Sequence, residues 1–204
     1  MRIKSLSPLE HRRGFFQTVL EDGRRLTVSE DEVIRFTLQV GAELSEEEWE
    51  RLTEAASISH AKDKAVRLVS SRPRSKKQLT RKLVEHGAAT EEAQAAVDWL
   101  EELGVVDDAA YAAALVRHYS ARGYGAARIR QELRHRGVDR DLWEEALSQL
   151  PDSSELLPAL VRKLSRGDLS DPRQRKRVQD ALLRRGFSYE EIRQAMGSFD
   201  REFD

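Results

Sequence analysis

Three stretches decide the fold: QLTRKLVEHG at residues 78–87, RIRQELRHRG at 128–137 and RVQDALLRRG at 177–186. They align without gaps, and their closing glycines lie 50 and 49 residues apart. Leu79, Ile129 and Val178 stand at one register position, and Leu83, Leu133 and Leu182 stand four residues further on. Apolar residues four apart ahead of a glycine describe a short helix with a left-handed C-terminal cap. Beyond each glycine the register continues through Ala93, Trp143 and Ile192, then Ala96, Ala146 and Ala195. After these come Val97, Leu147 and Met196, and then Leu100, Leu150 and Phe199. That spacing marks one face of a further helix. Upstream, a Val-Arg pair recurs at Val66-Arg67, Val116-Arg117 and Val161-Arg162. The chain therefore carries a three-helix unit written three times.

Start signals fit this reading. Ser75 with Gln78 and Ser188 with Glu191 form capping boxes, Thr90 and Asp139 precede acidic first turns, and Asp171-Pro172 opens a helix. The first helices of the units are expected over Ser59–Ser71, Asp108–Ala121 and about Leu156–Arg166, with Pro158 blurring the last start. The third unit carries about four extra residues between its first two helices. Ahead of the repeats, FFQTVLEDGRRLTV at 15–28 alternates around Asp22-Gly23, a two-residue hairpin signal, and Arg2–Leu6 supplies a third strand. Capping boxes at Ser29/Glu32 and Ser45/Glu48 open two more helices. The expected organisation is an α/β attachment over 1–58 and repeats over 59–106, 107–150 and 151–204. Together they make a mainly α protein, an elongated rod with a small N-terminal hairpin and helices.

Composition agrees. Of 204 residues, 35% are charged and 6% aromatic, too few large apolar side chains for one big core but enough for several thin ones. Cysteine is absent, which excludes disulfides and thiolate metal sites. No apolar run reaches the ~20 residues of a membrane span, and MRIKSLSPLEHRR is no signal peptide, so the expected compartment is the cytoplasm. The net charge of −1 conceals blocks. Arg72–Leu83 holds six basic residues and no acid, whereas Ala88–Asp108 holds seven acids and no base. Arg117–Gly137 carries six arginines against Glu132 alone. A near-neutral chain segregated in this way can present a basic face to a polyanion.

RPRSKKQLTRKL, WLEELGVVDDAAYAAALV, GYGAARIRQELRHRGV and LLRRGFSYEEI, in this order, resemble the RecX family of bacterial recombination regulators over about residues 59–199. The resemblance implies three tandem three-helix repeats that lodge in the groove of the RecA–single-stranded DNA filament. It further implies that binding there suppresses RecA ATP hydrolysis and strand exchange, in recombinational repair and the SOS response. Partners would be that filament, single-stranded DNA and double-stranded DNA, with no membrane, no cofactor and an elongated monomer as the simplest state. A stand-alone DNA-binding helical repeat is the alternative.

The candidate RecA- and DNA-contacting residues are Arg72, Arg74, Lys76, Lys77, Arg81 and Lys82. Further along they are Arg117, Arg122, Tyr124, Arg128, Arg130, Arg134, Arg175, Arg177, Arg184 and Arg185. Repetition in register would lay them along a stripe that tracks phosphates, with Tyr124 stacking on a base. The plain alternatives are a solvated helix face paired with neighbouring acids, and for Tyr124 simple packing. Asp107-Asp108 invites a metal but stands where a helix begins, so capping is the better reading. The five histidines show no i, i+4 pair. Arg122-Gly123-Tyr124-Gly125 lacks the P-loop spacing. No nucleophile–base or metal constellation supports catalysis, and the expected protein is a non-enzymatic binder.

Overall fold

The computed structural model describes residues 1–166 and 169–202, with side chains through residue 198. Phe199, the last member of the repeat register, therefore has a side chain outside the described residues. The order is β1 (Ile3–Pro8), β2 (Phe15–Leu20), β3 (Arg25–Ser29), α1 (Glu30–Arg35) and α2 (Glu46–Ser71). Then follow α3 (Lys76–Glu85), α4 (Thr90–Glu102), α5 (Asp108–Ser120), α6 (Ala126–His135), α7 (Trp143–Leu147), α8 (Ser153–Ser165), α9 (Pro172–Arg184) and α10 (Tyr189–Glu202). Two compact units result, residues 1–73 with 79–106, and residues 74–78 with 107–204.

In the first unit the strands form an antiparallel sheet in the order β1-β2-β3. The turn after β2 uses three residues rather than the expected two. Leu20 donates to the Arg24 carbonyl at 2.9 Å, and Gly23 takes a φ of +90°. That is a type I turn closed by a left-handed glycine, which a Glu-Asp-Gly corner suits as well as a two-residue loop. Both N-terminal capping boxes form: Ser29 and Ser45 accept the Glu32 and Glu48 amides, and each glutamate accepts its serine's amide at 2.7 and 2.8 Å.

The helix expected to begin at Ser59 begins instead at Glu46 and runs unbroken to Ser71. No glycine or proline lies between Ser45 and Ser71 to stop it. Its two halves serve different cores. Trp49, Leu52 and Ala56 pack with Ile3, Leu20 and Val28 of the sheet, whereas Ala61 and Ala65 pack with Leu79, Leu83, Ala96, Val97 and Leu100 of the first repeat.

The repeat positions are buried as their register requires. Leu79, Ile129 and Val178 are at most 2% exposed, and Leu83, Leu133 and Leu182 at most 1%. All three second helices end in the same Schellman motif. Gly87, Gly137 and Gly186 take φ of +94°, +71° and +89°. Their amides donate to the Val84, Arg134 and Leu183 carbonyls, and the next residues, Ala88, Val138 and Phe187, donate to Leu83, Leu133 and Leu182.

Third-helix starts diverge from expectation. Thr90 lies inside α4, behind Ala89, whose amide donates to Glu92 at 2.9 Å while its methyl caps nothing. Asp139 makes no side-chain cap, and a 3-10 turn, Arg140–Leu142, precedes a short α7. The Ser188/Glu191 box forms. α8 starts at Ser153, three residues before the expected Leu156, because Asp152 accepts the Ser154 amide at 2.9 Å. Pro158 then sits within the helix, where its missing N–H leaves the Ser154 carbonyl without its helical donor.

Within the second unit, the starts of α3 and α6 each lie on the loop that ends the next repeat's second helix. The Ser75 hydroxyl donates to the Arg136 carbonyl. One repeat later, Gly125 and Ala127 donate their amides to the Arg185 and Gly186 carbonyls at 2.8 and 3.1 Å. A Cβ on Gly137 would lie 3.1 Å from the Lys77 side chain, and one on Gly186 would lie 2.3 Å from the Arg128 amide nitrogen. These glycines thus permit both a left-handed turn and a close approach.

Candidate functional site

In the first unit, Arg72 is exposed and in no ion pair among the described residues, just past the end of α2. Arg81 and Lys82 both reach Glu85, Arg81 at 3.6 Å. The Lys82 hydrogen bond holds the Glu85 carboxyl below its ordinary range. The acid-free block of the sequence, Arg72–Leu83, thus ends two residues before an acid, Glu85, that partly neutralises two of its members.

In the second unit the candidates divide into two groups. Lys77, Arg122, Arg134, Arg177 and Arg184 are exposed and form no ion pair among the described residues. Arg134 lies over the Trp143 ring at 5.9 Å. The others are engaged or partly covered. Arg128 pairs with Glu132 at 2.9 Å, Arg130 with Glu144 at 3.3 Å, and Arg117 donates to Gln149 at 3.2 Å. Arg185 folds back onto the Arg122 and Gly123 carbonyls at 3.1 and 3.3 Å and lies over the Tyr124 ring at 5.7 Å. Tyr124 is half-buried edge-on to Tyr119, so packing describes its present position. Arg74, Lys76 and Arg175 are half-buried.

The Asp107-Asp108 pair caps two helices. Asp107 accepts the Ala110 amide at 2.9 Å and so closes its own helix. Asp108 is 6% exposed and accepts the Lys76 amide at 2.8 Å, capping α3. No group of three or more His, Asp or Glu among the described residues is placed to hold a metal. No described helix is long and apolar enough to cross a membrane.

Sequence reasoning passed over Arg136. Its guanidinium donates to the Tyr111 and Tyr119 hydroxyls at 3.1 and 3.3 Å, and Tyr119 donates to Glu132 at 3.0 Å. Burial works against its charge, yet the two tyrosine hydroxyls hold its pKa above the ordinary arginine value. Its carbonyl is the acceptor for Ser75. The available signal was the register, since Arg136 and Arg185 both precede the cap glycine.

The geometry defines a protein of tandem three-helix repeats with unneutralised cations on their second helices. Models of the first, second and third three-helix domains of RecX match residues 61–100, 107–147 and 155–196. Regulatory protein RecX of Lactobacillus delbrueckii subsp. bulgaricus is 32% identical over 184 residues, spanning 88% of this chain and 68% of the relative. Regulatory protein RecX of Xanthomonas citri is 39% identical over 141 residues, spanning 68% of this chain and 86% of the relative. A crystal structure of regulatory protein RecX superposes with a TM-score of 0.75 at 28% identity, covering 95% of this chain and 98% of that one. RecX from Lactobacillus salivarius superposes at 0.65 with 25% identity, covering 72% of this chain and 98% of that one. The chain belongs to the RecX family of regulatory proteins.

Proposed function

We propose that this chain binds the RecA–single-stranded DNA filament and lowers its ATP hydrolysis and strand exchange. Family membership supplies the regulatory role, and the observation that carries the contact assignment is the free cation set. Arg134, Arg177 and Arg184 recur on successive second helices, with Arg122 just ahead of α6, all exposed and outside any ion pair among the described residues. Such guanidiniums are available to phosphates or to acidic protein surface without first breaking an internal bond. A repeat protein held across several RecA protomers favours one protomer spacing and resists the rearrangement that turnover requires. The test is RecA ATP turnover on single-stranded DNA with the protein added well below one molecule per RecA. Suppression at that ratio supports a filament regulator. No effect, with binding to bare DNA intact, would favour a stand-alone DNA-binding protein.

A further inference from the structure

The two internal junctions define a recognition rule. A helix start with a small N-cap and no acid in its first turn docks on a Schellman turn and donates to the carbonyls there. Ser75 of α3 and Gly125 of α6 are those N-caps, and neither first turn holds an acid. Both N-caps are small: at the second junction a Cβ on Gly125 would lie 2.5 Å from the Gly186 carbonyl oxygen, and at the first the serine side chain itself donates to the Arg136 carbonyl. The positive end of one helix thereby meets the negative end of another.

Repeat one has the receiving half of this junction with no helix start seated on it among the described residues. Gly87 holds the same left-handed turn, but a Cβ built there would meet no atom within 4 Å. Among the described residues no amide donates to the His86 or Gly87 carbonyl, the register equivalents of the Arg185 and Gly186 acceptors. A cavity of about 450 Å³ opens beside the turn, walled by Ser57, Asp63, Lys64, His86 and Glu92. The other end of the repeat series is closed. α9 begins with its own cap, Asp171, and with Pro172, which has no amide to donate. A second copy of this chain consequently offers no matching free helix start there.

We infer that the Gly87 turn is a docking socket for the N-terminal turn of a helix in a partner protein, one with Gly or Ser at its N-cap and no acid in its first turn. The contact is separate from the basic residues assigned above.

The probe is a peptide of residues 124–137, held helical by a staple between the exposed positions Gln131 and His135, titrated into the isotope-labelled full chain. Saturable shifts are expected at the His86, Gly87, Ala88 and Glu92 amides. Gly87→Asn tolerates the left-handed turn and fills the socket, so it should weaken binding by about tenfold or more. Ser57→Tyr fills the same cavity from α2 without altering the turn, and should do likewise. A peptide carrying Gly125→Leu should not bind. Absent saturation, or equal binding by both variants or by the leucine peptide, would overturn the socket. Concentration-dependent shifts at these residues without peptide would make the occupant a second copy and overturn the partner assigned here.

Discussion

The carboxylate of Asp108, the first residue of α5, accepts the amide of Lys76, the first residue of α3, at 2.8 Å. A helix of repeat one is thus capped by an acid of repeat two, while the adjacent Asp107 caps its own helix. Replacing Asp108 with Ala should destabilise the protein by about 1–2 kcal/mol. It should also speed hydrogen exchange at the Lys76 to Gln78 amides. Asp107→Ala should cost a similar amount and expose α5 alone. Unchanged exchange at Lys76 in the Asp108 variant would remove the cross-repeat cap.

The cap glycines allow turn strain and close approach to be measured separately. Gly87→Ala adds only the left-handed strain, about 1 kcal/mol. Gly125→Ala adds only the clash, since Gly125 lies at an ordinary φ of −87°. Gly186→Ala adds both and should lower the melting temperature most. Equal melting temperatures for Gly87→Ala and Gly186→Ala would show that the junction yields freely to a methyl group.

Neutralising Arg122, Arg134, Arg177 and Arg184 to Gln should leave helicity by circular dichroism unchanged, because none holds an ion pair among the described residues. Filament affinity should fall. If these side chains touch phosphates, the salt dependence of DNA binding should flatten by roughly one unit of slope per contact. The matched change of Arg117, Arg128, Arg130 and Arg185 should affect stability more than binding. The reverse pattern would move the interface to the paired arginines.

His60 gives a pH signature. Burial, and then the Arg12 cation, hold its pKa below the ordinary histidine value, and its Nε2 is buried without a partner. Glu32 and Asp63 also face it and pull the other way, and the Phe15 ring lies 5.5 Å away. The unfolded chain takes up the proton first, near pH 6.5, so stability is complete above that value and declines as pH falls toward the folded pKa. Melting temperature should begin to drop as pH falls below about 7.5 and go on falling toward the folded pKa, and His60→Phe should flatten the drop. An identical drop in that variant would assign the titration elsewhere.

The repeats were legible because burial and glycine caps are local requirements that recur at a fixed period, as Leu83, Leu133 and Leu182 show. Capping at Ser45 and Ser188 was legible for the same reason. What escaped was nonlocal. Nothing near Lys76 in sequence announces that its amide will find Asp108. Nor does the Arg185 block reveal that its guanidinium turns back onto Tyr124 while Arg184 stays free. The boundary near residue 58 was drawn where the pattern changes. The pattern changes there because one helix exchanges its buried partners, from the sheet to α3 and α4.

That helix has a mechanical consequence. With 26 residues at 1.5 Å each, α2 is a strut of roughly 39 Å whose two ends are set in two different cores. Trp49 is set in the core of the sheet and Ala61 and Ala65 in that of the first repeat, with neither glycine nor proline between them. The sheet and the first repeat therefore share one continuous backbone element, and a cut near residue 58 would fall inside it.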